Sequence, residues 1–329
     1  MVGQDERHVP VLLQDAIQYL NVRPGGTYID ATLGMAGHSS AIARLLGPGG
    51  KLVAFDRDPE AMAIARENLA RLAQELGAEM PRVELIDEEF STAGEKLQAA
   101  SVDGILADFG ISSMQLGEAH RGFSFQADGP LDMRMNPRIG VTAAQVVNRA
   151  DEKDLANLIY EFGEERRSRR IARAIVRARP ITTTAELARV VAACAPTMKS
   201  ERHFIHPATR TFQALRIYVN GELDEIKALL EQAPGLLRPS GRLVVISFHS
   251  LEDRLAKDAL REGAKQGIYE ILTRKPLTAT AEETDRNPRS RSAKMRAAER
   301  IEQDTKFTAE DSSWQGSGPG SSHRGTRRK

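Results

Sequence analysis

The residues with the clearest chemical signature form a short turn at 30–38, with the sequence DATLGMAGH. Small residues in such a turn let the backbone approach a ligand closely, and open α/β sheets bind ligands at the carboxyl ends of their strands. Asp56 follows about 20 residues later, at the end of a second apolar run, where an acid accepts hydrogen bonds from ribose hydroxyls. The two features at this separation predict a site for an adenosine ribose.

The glycine pattern of the turn separates two classes of cofactor. A nicotinamide enzyme would carry G-x-G-x-x-G, with a pyrophosphate against the helix N-terminus, whereas only Gly34 and Gly37 are glycine here. The turn instead matches the methyltransferase pattern D-x-G-x-G-x-G, with Thr32 and Ala36 in place of two glycines. Asp30 would then bring a carboxylate near the positive charge of S-adenosylmethionine. The alternative is an ordinary glycine turn in which Asp30 caps a helix.

The elements that must position these residues alternate between strand and helix from residue 27 to residue 110. Strands are predicted at 27–34, 51–58, 82–90 and 102–110, and helices at 38–46 and 59–76. This alternation indicates parallel pairing, because parallel neighbours need crossover connections. Phe90 and Asp108 then end the third and fourth strands, at the same edge of the sheet as the turn and Asp56.

The alternation breaks after the fourth strand. The next convincing strand, 241–249, begins roughly 130 residues later, whereas a whole βαβ unit needs only about 30. Apolar spacing in the gap predicts helices at 143–148, 151–162, 164–179, 184–195 and 207–230. The last of these is interpreted as the helix that returns to the sheet. Beyond it, a helix is predicted at 250–263 and a closing antiparallel pair at 268–274 and 293–301.

The predicted fold class is therefore α/β, with a class I, Rossmann-like methyltransferase sheet and an all-helical insertion domain. Residues 1–115 and 206–302 would form the discontinuous sheet domain, and residues 116–205 a helical insertion that recognises RNA. From residue 303 to residue 329 the chain has no periodicity and almost no apolar content, which predicts a disordered tail.

Composition indicates the cellular compartment of the protein better than it indicates the function. The 329 residues carry 46 Lys and Arg against 45 Asp and Glu, so a case for nucleic-acid binding must rest on where the charges lie. The single cysteine, Cys194, rules out an intramolecular disulfide and argues against a cysteine-based zinc site. The sequence shows no signal peptide and no apolar run near the roughly 20 residues that span a bilayer. We expect a cytoplasmic protein with no membrane partner.

Basic residues are concentrated in two segments. One is the predicted helix at 164–179, whose seven arginines oppose an apolar side. Its arginines can meet phosphates bidentately, although a solvated helix face is the alternative. A second basic cluster lies at 286–300. We expect at least one of the two to bind phosphates.

Eight ordered motifs resemble one known family, over a span from about His8 to Ile301. The motifs are HVPVLL at 8–13, DFGISSMQL at 108–116, RGFSF at 121–125, DGPLDMRM at 128–135, GEER at 163–166, HPATRTFQALR at 206–216, SFHSLEDR at 247–254 and NPRSRS at 287–292. Together they are similar to the RsmH (MraW) family of bacterial ribosomal RNA methyltransferases. The resemblance implies S-adenosylmethionine as cofactor and methylation of N4 of a cytidine in the decoding centre of 16S rRNA, within an assembling small ribosomal subunit. It also implies a helical insertion between sheet strands.

The resemblance also implies which residues contact the cofactor. With the two residues that the turn supplies, the candidates are Asp30, Gly34, Ala36, Gly37, His38, Asp56, Phe90, Asp108 and Gln115. Ala36 departs from the family, which usually has glycine there, and its methyl group crowds the backbone approach slightly. Phe109 stands where an aliphatic residue is usual, and we expect only a packing change.

The implied chemistry needs a hydrogen-bond acceptor and no metal. The lone pair of cytosine N4 is delocalised into the ring, so the enzyme must position N4 in line and accept its amino hydrogens as it becomes tetrahedral. The acceptor could be Asp108 or a backbone carbonyl in 110–113, and the sequence does not choose between them, since the prolines and the aromatic residue of the usual amine-methylating motif are absent. Asp132 and His249 are further catalytic candidates, which could equally orient loops.

The residues predicted to contact RNA are all arginines from the motifs and basic segments. They are Arg166, Arg169, Arg170, Arg173, Arg177, Arg210 and Arg291. Two other functional classes stay open at this point: an NAD-type oxidoreductase, and a non-catalytic ribosome-assembly factor that merely retains the sheet. The oligomeric state is not encoded in any motif.

Overall fold

A sheet of seven strands forms the centre of the fold. The structure, a computed structural model, describes residues 10–194 and 206–302. The strands are β1 (Thr27–Asp30), β2 (Lys51–Phe55), β3 (Arg82–Ile86), β4 (Val102–Asp108), β5 (Leu237–Ser247), β6 (Tyr269–Ile271) and β7 (Lys294–Arg300). The predicted tail at 303–329, the end of the predicted insertion at 195–205 and the start of the first motif at His8 lie outside the described residues.

The strand order is β3-β2-β1-β4-β5-β7-β6. Every neighbouring pair from β3 to β5 is parallel, while β7 is antiparallel to both β5 and β6. This arrangement confirms the predicted Rossmann-like sheet and its closing antiparallel pair. The chain reverses its direction of travel across the sheet between β1 and β4, which is the switch point where such sheets bind ligands.

Alternate side chains of each strand enter two different cores. Tyr28 and Leu106 pack with the first three helices on one face of the sheet. Ile29 and Ile105 point to the opposite face and pack with the helices that precede and follow β5. Burial on both faces explains why these strands are continuous apolar runs and not alternating ones.

The helices surround the sheet and form the insertion between β4 and β5. They are α1 (Leu13–Leu20), α2 (Gly37–Leu46), α3 (Pro59–Leu76), α4 (Ala93–Lys96), α5 (Ser113–Gly117), α6 (Ala143–Arg149), α7 (Glu152–Gly163), α8 (Ser168–Ala178), α9 (Thr184–Cys194), α10 (Thr209–Asn220), α11 (Glu222–Leu236), α12 (Ser250–Lys265) and α13 (Ala281–Arg286). Within the described ranges, no helix is long and apolar enough to span a membrane.

The predicted single helix at 207–230 is wrong, because the structure has two helices there. Gly221 has a φ of 59°, in the left-handed region, and its N–H caps the end of α10. Glycine reaches this conformation without the steric cost of a side chain, so α10 stops and α11 starts in a new direction. The break matters for the site, since Glu222 at the start of α11 lines the main cavity.

A separate apolar core holds the helical insertion together. It joins α6 to α10 through residues such as Leu131, Ile159, Ile175 and Leu215. Because α10 packs in this core, the return to the sheet is made by α11, which packs on the face that contains Ile29. The predicted helix at 164–179 begins only at Ser168, after a turn in which Glu164 has a φ of 48°.

Candidate active site

A cavity of about 650 Å³ opens where β1, β2 and β4 end. It lies at the switch point of the sheet, as the strand order requires. Eight of the nine predicted cofactor-binding residues line it: Gly34, Ala36, Gly37, His38, Asp56, Phe90, Asp108 and Gln115. The ninth, Asp30, does not.

The turn that begins the cavity has two residues in the left-handed region. Gly34 has a φ of 52° and Ala36 a φ of 66°. A side chain at such a φ costs about 1–2 kcal/mol, which explains why glycine suits the position of Ala36. Gly37 is needed for space, since a Cβ atom there would lie 2.4 Å from Cγ of Pro10. The turn therefore exposes backbone to the cavity.

Asp56 connects the turn to the end of β2. Its Oδ2 accepts a hydrogen bond of 2.8 Å from the Gly34 N–H, and its Oδ1 accepts one of 2.8 Å from the Asp58 N–H. Burial raises the pKa of Asp56 to about 7, against the lowering effect of these two hydrogen bonds. Each carboxylate oxygen has a second lone pair, so the group retains the capacity to accept two more hydrogen bonds.

Asp108 is held through its backbone and not through its carboxylate. Its N–H donates to Oγ1 of Thr32 at 2.7 Å, whereas its Oδ1 is buried and has no hydrogen-bond partner among the described residues. Burial, followed by the charge of Asp30, raises the pKa of Asp108 well above its usual range. A buried acceptor without a donor is costly, which makes Asp108 a candidate to accept a hydrogen bond from a ligand.

The prediction that Asp30 contacts the cofactor needs a correction. Its side chain is buried behind the turn, where Oδ2 accepts from Oγ of Ser39 at 2.6 Å and Oδ1 accepts from the Thr32 N–H at 3.1 Å. Because the side chain is buried and does not line the cavity, a ligand there cannot reach it. Asp30 supports the turn and the start of α2 from inside, which agrees with the capping alternative.

A buried network of hydrogen bonds and ion pairs next to the cavity was not predicted from the sequence. Asp58 accepts hydrogen bonds from Nη2 of Arg121 at 2.8 Å and from Nε2 of Gln115 at 2.7 Å. Arg121 is 4% exposed and Asp58 is fully buried, while Glu60 binds the other Nη of Arg121 at 2.8 Å. The RGFSF motif was the only signal for Arg121. The network joins the beginning of the insertion to the loop that holds Asp56.

Phe90 lines the cavity from a short turn after β3 and does not lie within the strand as predicted, because β3 ends at Ile86. Its ring centroid is 6.1 Å from that of Phe109. Phe109 is 3% exposed, so the aromatic residue at this position is a packing residue that backs Phe90.

The other two catalytic candidates lie away from the cavity lining. Asp132 forms a bidentate pair with Arg134, with both distances 2.8 Å. Although burial raises the pKa of Asp132, the hydrogen bonds from Arg134 outweigh it and lower the pKa. His249 caps α12, and its Nε2 lies 3.0 Å from Oε1 of Glu252. Both residues match the loop-orienting alternative.

His249, Glu252 and Glu222 form the one cluster in the described ranges whose spacing would suit a metal ion. Arg216 already occupies the cluster, since its Nε and Nη2 each lie 2.9 Å from an oxygen of Glu222. The positive charge that the carboxylates need is therefore supplied by the protein.

The two predicted basic segments differ in how much of their charge is available. On α8, the side chains of Arg169, Arg170, Arg173 and Arg177 are exposed. Among the described residues, only Arg173 of these four has an ion pair, of 3.3 Å with Glu152. Arg166 is also exposed.

In the second segment, most of the basic side chains already contact protein partners. Lys294 and Arg296 both pair with Asp253, at 3.4 and 2.7 Å. Arg289 lines the cavity and donates to the carbonyl oxygen of Ile111 and the hydroxyl of Ser113. Of the remaining RNA-contact candidates, Arg291 is exposed, and Arg210 donates to the Glu164 carbonyl at 3.1 Å.

Comparison with known proteins shows the family to which the chain belongs. Residues 5–301 match the model of the MraW methylase family. A ribosomal RNA small subunit methyltransferase H of Acidobacterium capsulatum is 77% identical over 295 residues, which cover 90% of this chain and 99% of that protein. A protein with the same name from Koribacter versatilis is 60% identical, covering 89% of this chain and 94% of that protein.

Among solved structures, a putative rRNA-methylase of Clostridium thermocellum is similar over 90% of this chain and 99% of that chain. The TM-score is 0.44 and the sequence identity 13%. This similarity is too low to bear on function.

Proposed function

Since the chain belongs to the MraW methylase family, we propose that it transfers a methyl group from S-adenosylmethionine to N4 of one cytidine in the decoding centre of 16S rRNA. The single observation that carries the proposal is the cavity, which combines Asp56, an acid placed to accept hydrogen bonds from a nucleoside, with Asp108, whose Oδ1 has no hydrogen-bond partner among the described residues. The substrate would be the RNA of an assembling small ribosomal subunit. Membership of a methylase family argues against both alternative functions, the oxidoreductase and the non-catalytic factor.

The residues of the cavity fit the cofactor. Asp56 has free lone pairs for a ribose diol, and Phe90, which lines the cavity, supplies an aromatic ring for an adenine. The exposed backbone of the turn at 34–37 offers polar groups to the amino-acid end. When bound, the sulfonium supplies an activated methyl group, so the protein has only to hold and orient the two reactants.

Asp108 is placed to receive the hydrogens of the amine. N4 must lose one of its two hydrogens as it gains a methyl group, and its nucleophilicity rises when an acceptor draws those hydrogens out of the ring plane. The carboxylate lines the cavity beside Gly110 and Ile111, where the base would enter. The target base must leave its stack to reach this depth.

The helical insertion is proposed to recognise the RNA. Its core is separate from the cores of the sheet, and its α8 presents a row of exposed arginines. The network around Arg121 fixes the insertion to the cofactor loop, so RNA held on the insertion is at a defined distance from Asp108. The division into a sheet domain and an insertion is part of this proposal, with α10, which the predicted boundary at 205 assigned to the sheet domain, now in the insertion.

Asp56→Ala is expected to weaken binding of S-adenosylmethionine by about one to two decades, since hydrogen bonds to a charged acceptor contribute about 1.5–3 kcal/mol. Affinity for the wild type should also fall as the pH drops through 7, because protonation of Asp56 removes its negative charge and one of its acceptor sites. Titration calorimetry at several pH values tests both statements. Asp258→Ala, at an exposed position on α12, is the control. Unchanged affinity in Asp56→Ala would remove Asp56 from the site.

Charge reversal of Arg169, Arg170, Arg173 and Arg177 to glutamate is expected to weaken RNA binding and leave cofactor binding nearly intact. Binding should fall with salt with a log–log slope of about −0.7 per neutralised phosphate, and the variant should have the shallower slope. Shape and stacking leave some residual binding.

A matched pair of double variants controls for net charge. Arg173→Glu with Arg177→Glu should lose affinity, whereas Arg261→Glu with Lys265→Glu, on the exposed side of α12, should not. If the α8 variants bind and methylate small-subunit particles like the parent across a salt series, α8 is only a solvated face. The cluster at 286–300 then becomes the better candidate.

Transfer of labelled methyl tests the substrate class. Purified protein with labelled S-adenosylmethionine should label RNA from small subunits and leave large-subunit RNA unlabelled. Equal labelling of both RNAs, or of neither, would contradict the proposal.

A further inference from the structure

A second titratable group, His38 at the start of α2, lies next to the carboxylate of Asp108. His38 is 5% exposed, and its Nε2 is 3.1 Å from the carbonyl oxygen of Val11. A carbonyl oxygen only accepts hydrogen bonds, so the proton of a neutral His38 lies on Nε2 and is donated to Val11. The other ring nitrogen, Nδ1, is 3.7 Å from Oδ2 of Asp108. In neutral His38 this nitrogen carries a lone pair.

The contact between Nδ1 and Oδ2 is favourable only when the two groups hold one proton between them. An ionised Asp108 would face the Nδ1 lone pair of a neutral His38, and two acceptors repel. One added proton gives either a carboxylic acid beside an imidazole or a carboxylate beside an imidazolium, and both are attractive. The distance exceeds that of a hydrogen bond, as is common for catalytic contacts in the absence of substrate.

We propose that Asp108 and His38 act as a proton-holding pair, in which Asp108 accepts the proton released by the amine and His38 shares it as the positioning residue. The inference rests on the proposed function. N4 uses its lone pair to form the N–C bond, the C–S bond breaks with its electron pair left on sulfur, and one N4 hydrogen leaves as a proton. The pair stores that proton inside the protein until the product departs.

The charged groups around the pair come from four elements. Asp30 at the end of β1 and Glu252 on α12 are acids, His38 lies on α2, and Arg289 in the turn before β7 is the basic group. Burial raises the pKa of Asp108, the charges of Asp30 and Glu252 raise it further, and Arg289 lowers it. A carboxylate with a raised pKa is a stronger base and takes a proton from the methylated amine more readily.

A titration by nuclear magnetic resonance tests the pair without any turnover. The side-chain nitrogens of His38 are followed against pH in the full-length wild type and in Asp108→Asn. Removal of the carboxylate should move the His38 titration to lower pH by about one unit or more, because an opposite charge at this range stabilises the imidazolium. His120, which is exposed, provides an internal reference that should not move. An unchanged His38 titration in Asp108→Asn would overturn the proposal.

His38→Gln tests the functional consequence. Its amide can still donate to the Val11 carbonyl, but it cannot hold a proton. The single-turnover rate at saturating cofactor and RNA should fall by about tenfold or more, and the limb of the pH–rate profile that belongs to the pair should flatten. His120→Gln is the matched control and should keep the parental rate and profile.

The outcomes separate this inference from the proposed function. If the wild type moves no methyl group to cytidine N4, the proposed function fails. If the wild type does so and His38→Gln has the same saturated rate and pH profile, the pair is overturned and His38 is a packing residue. Weaker cofactor binding in His38→Gln with an unchanged saturated rate also overturns it.

Discussion

Asp108→Ala is expected to lower the single-turnover rate of methyl transfer by about two to four orders of magnitude, the range for loss of a positioned acid–base group. The carboxylate lines the cavity at the end of β4, and its buried Oδ1 has no donor within the described protein. The backbone hydrogen bond to Thr32 survives the substitution, so the fold should persist. Rapid-quench measurements at saturating cofactor and RNA give the rate.

Asp108→Asn separates two roles of the carboxylate. The amide oxygen can accept a hydrogen bond from the amine but cannot keep a proton. A rate well above that of Asp108→Ala means that accepting the hydrogen bond is sufficient, whereas a rate as low as that of Asp108→Ala means that the proton itself is transferred. Wild-type rates in both variants would show that Asp108 is only a structural cap.

Arg121→Met is expected to lower the free energy of unfolding by about 3–5 kcal/mol, since it leaves a buried charge without its partner. Asp58 is fully buried and receives a short hydrogen bond from Arg121. The N–H of Asp58 in turn holds Oδ1 of Asp56, so cofactor affinity should fall as well. Urea denaturation and calorimetry measure the two effects.

A double variant and a surface pair complete the experiment on Arg121. Adding Asp58→Asn to Arg121→Met should recover part of the lost stability, because the uncompensated charge is removed. Arg254→Met, which breaks a half-exposed pair with Glu164, should cost less than about 1 kcal/mol. Equal losses in Arg121→Met and Arg254→Met would contradict a special role for the buried pair.

The sequence predicted the strands and the cavity edge well because both depend on local signals. Apolar runs followed by turn residues located β1, β2 and β4 to within a few residues. Once parallel pairing is inferred, the ends of those strands must meet, and the residues that follow them must share a site. The positions of Asp56 and Asp108 at the cavity could therefore be predicted without knowing any side-chain contact.

The errors concern features that depend on contacts between distant segments. Asp30 is an acid at a strand end like Asp56, and only the position of Ser39, on the helix behind it, shows which of the two faces inward. The buried pair of Arg121 and Asp58 joins residues 63 positions apart. No periodicity or composition signal can report such a pairing.

The break between α10 and α11 has a different origin. A lone Gly221 inside a helical pattern is compatible with a continuous helix at a cost of about 1 kcal/mol. Packing decided the outcome, since α10 contributes Leu215 to the core of the insertion and α11 contributes Leu229 to the core of the sheet. One straight helix could not serve both cores.

The identity of the methylated atom tests the account most directly. Small-subunit particles that lack the modification are incubated with the protein and S-adenosylmethionine carrying a deuterated methyl group, and the RNA is digested to nucleosides for mass spectrometry. We expect a single labelled nucleoside, N4-methylcytidine, which maps to one position in the decoding centre and is absent with Asp108→Ala. Label on a ribose, on another base or on another ring atom of cytosine would contradict it.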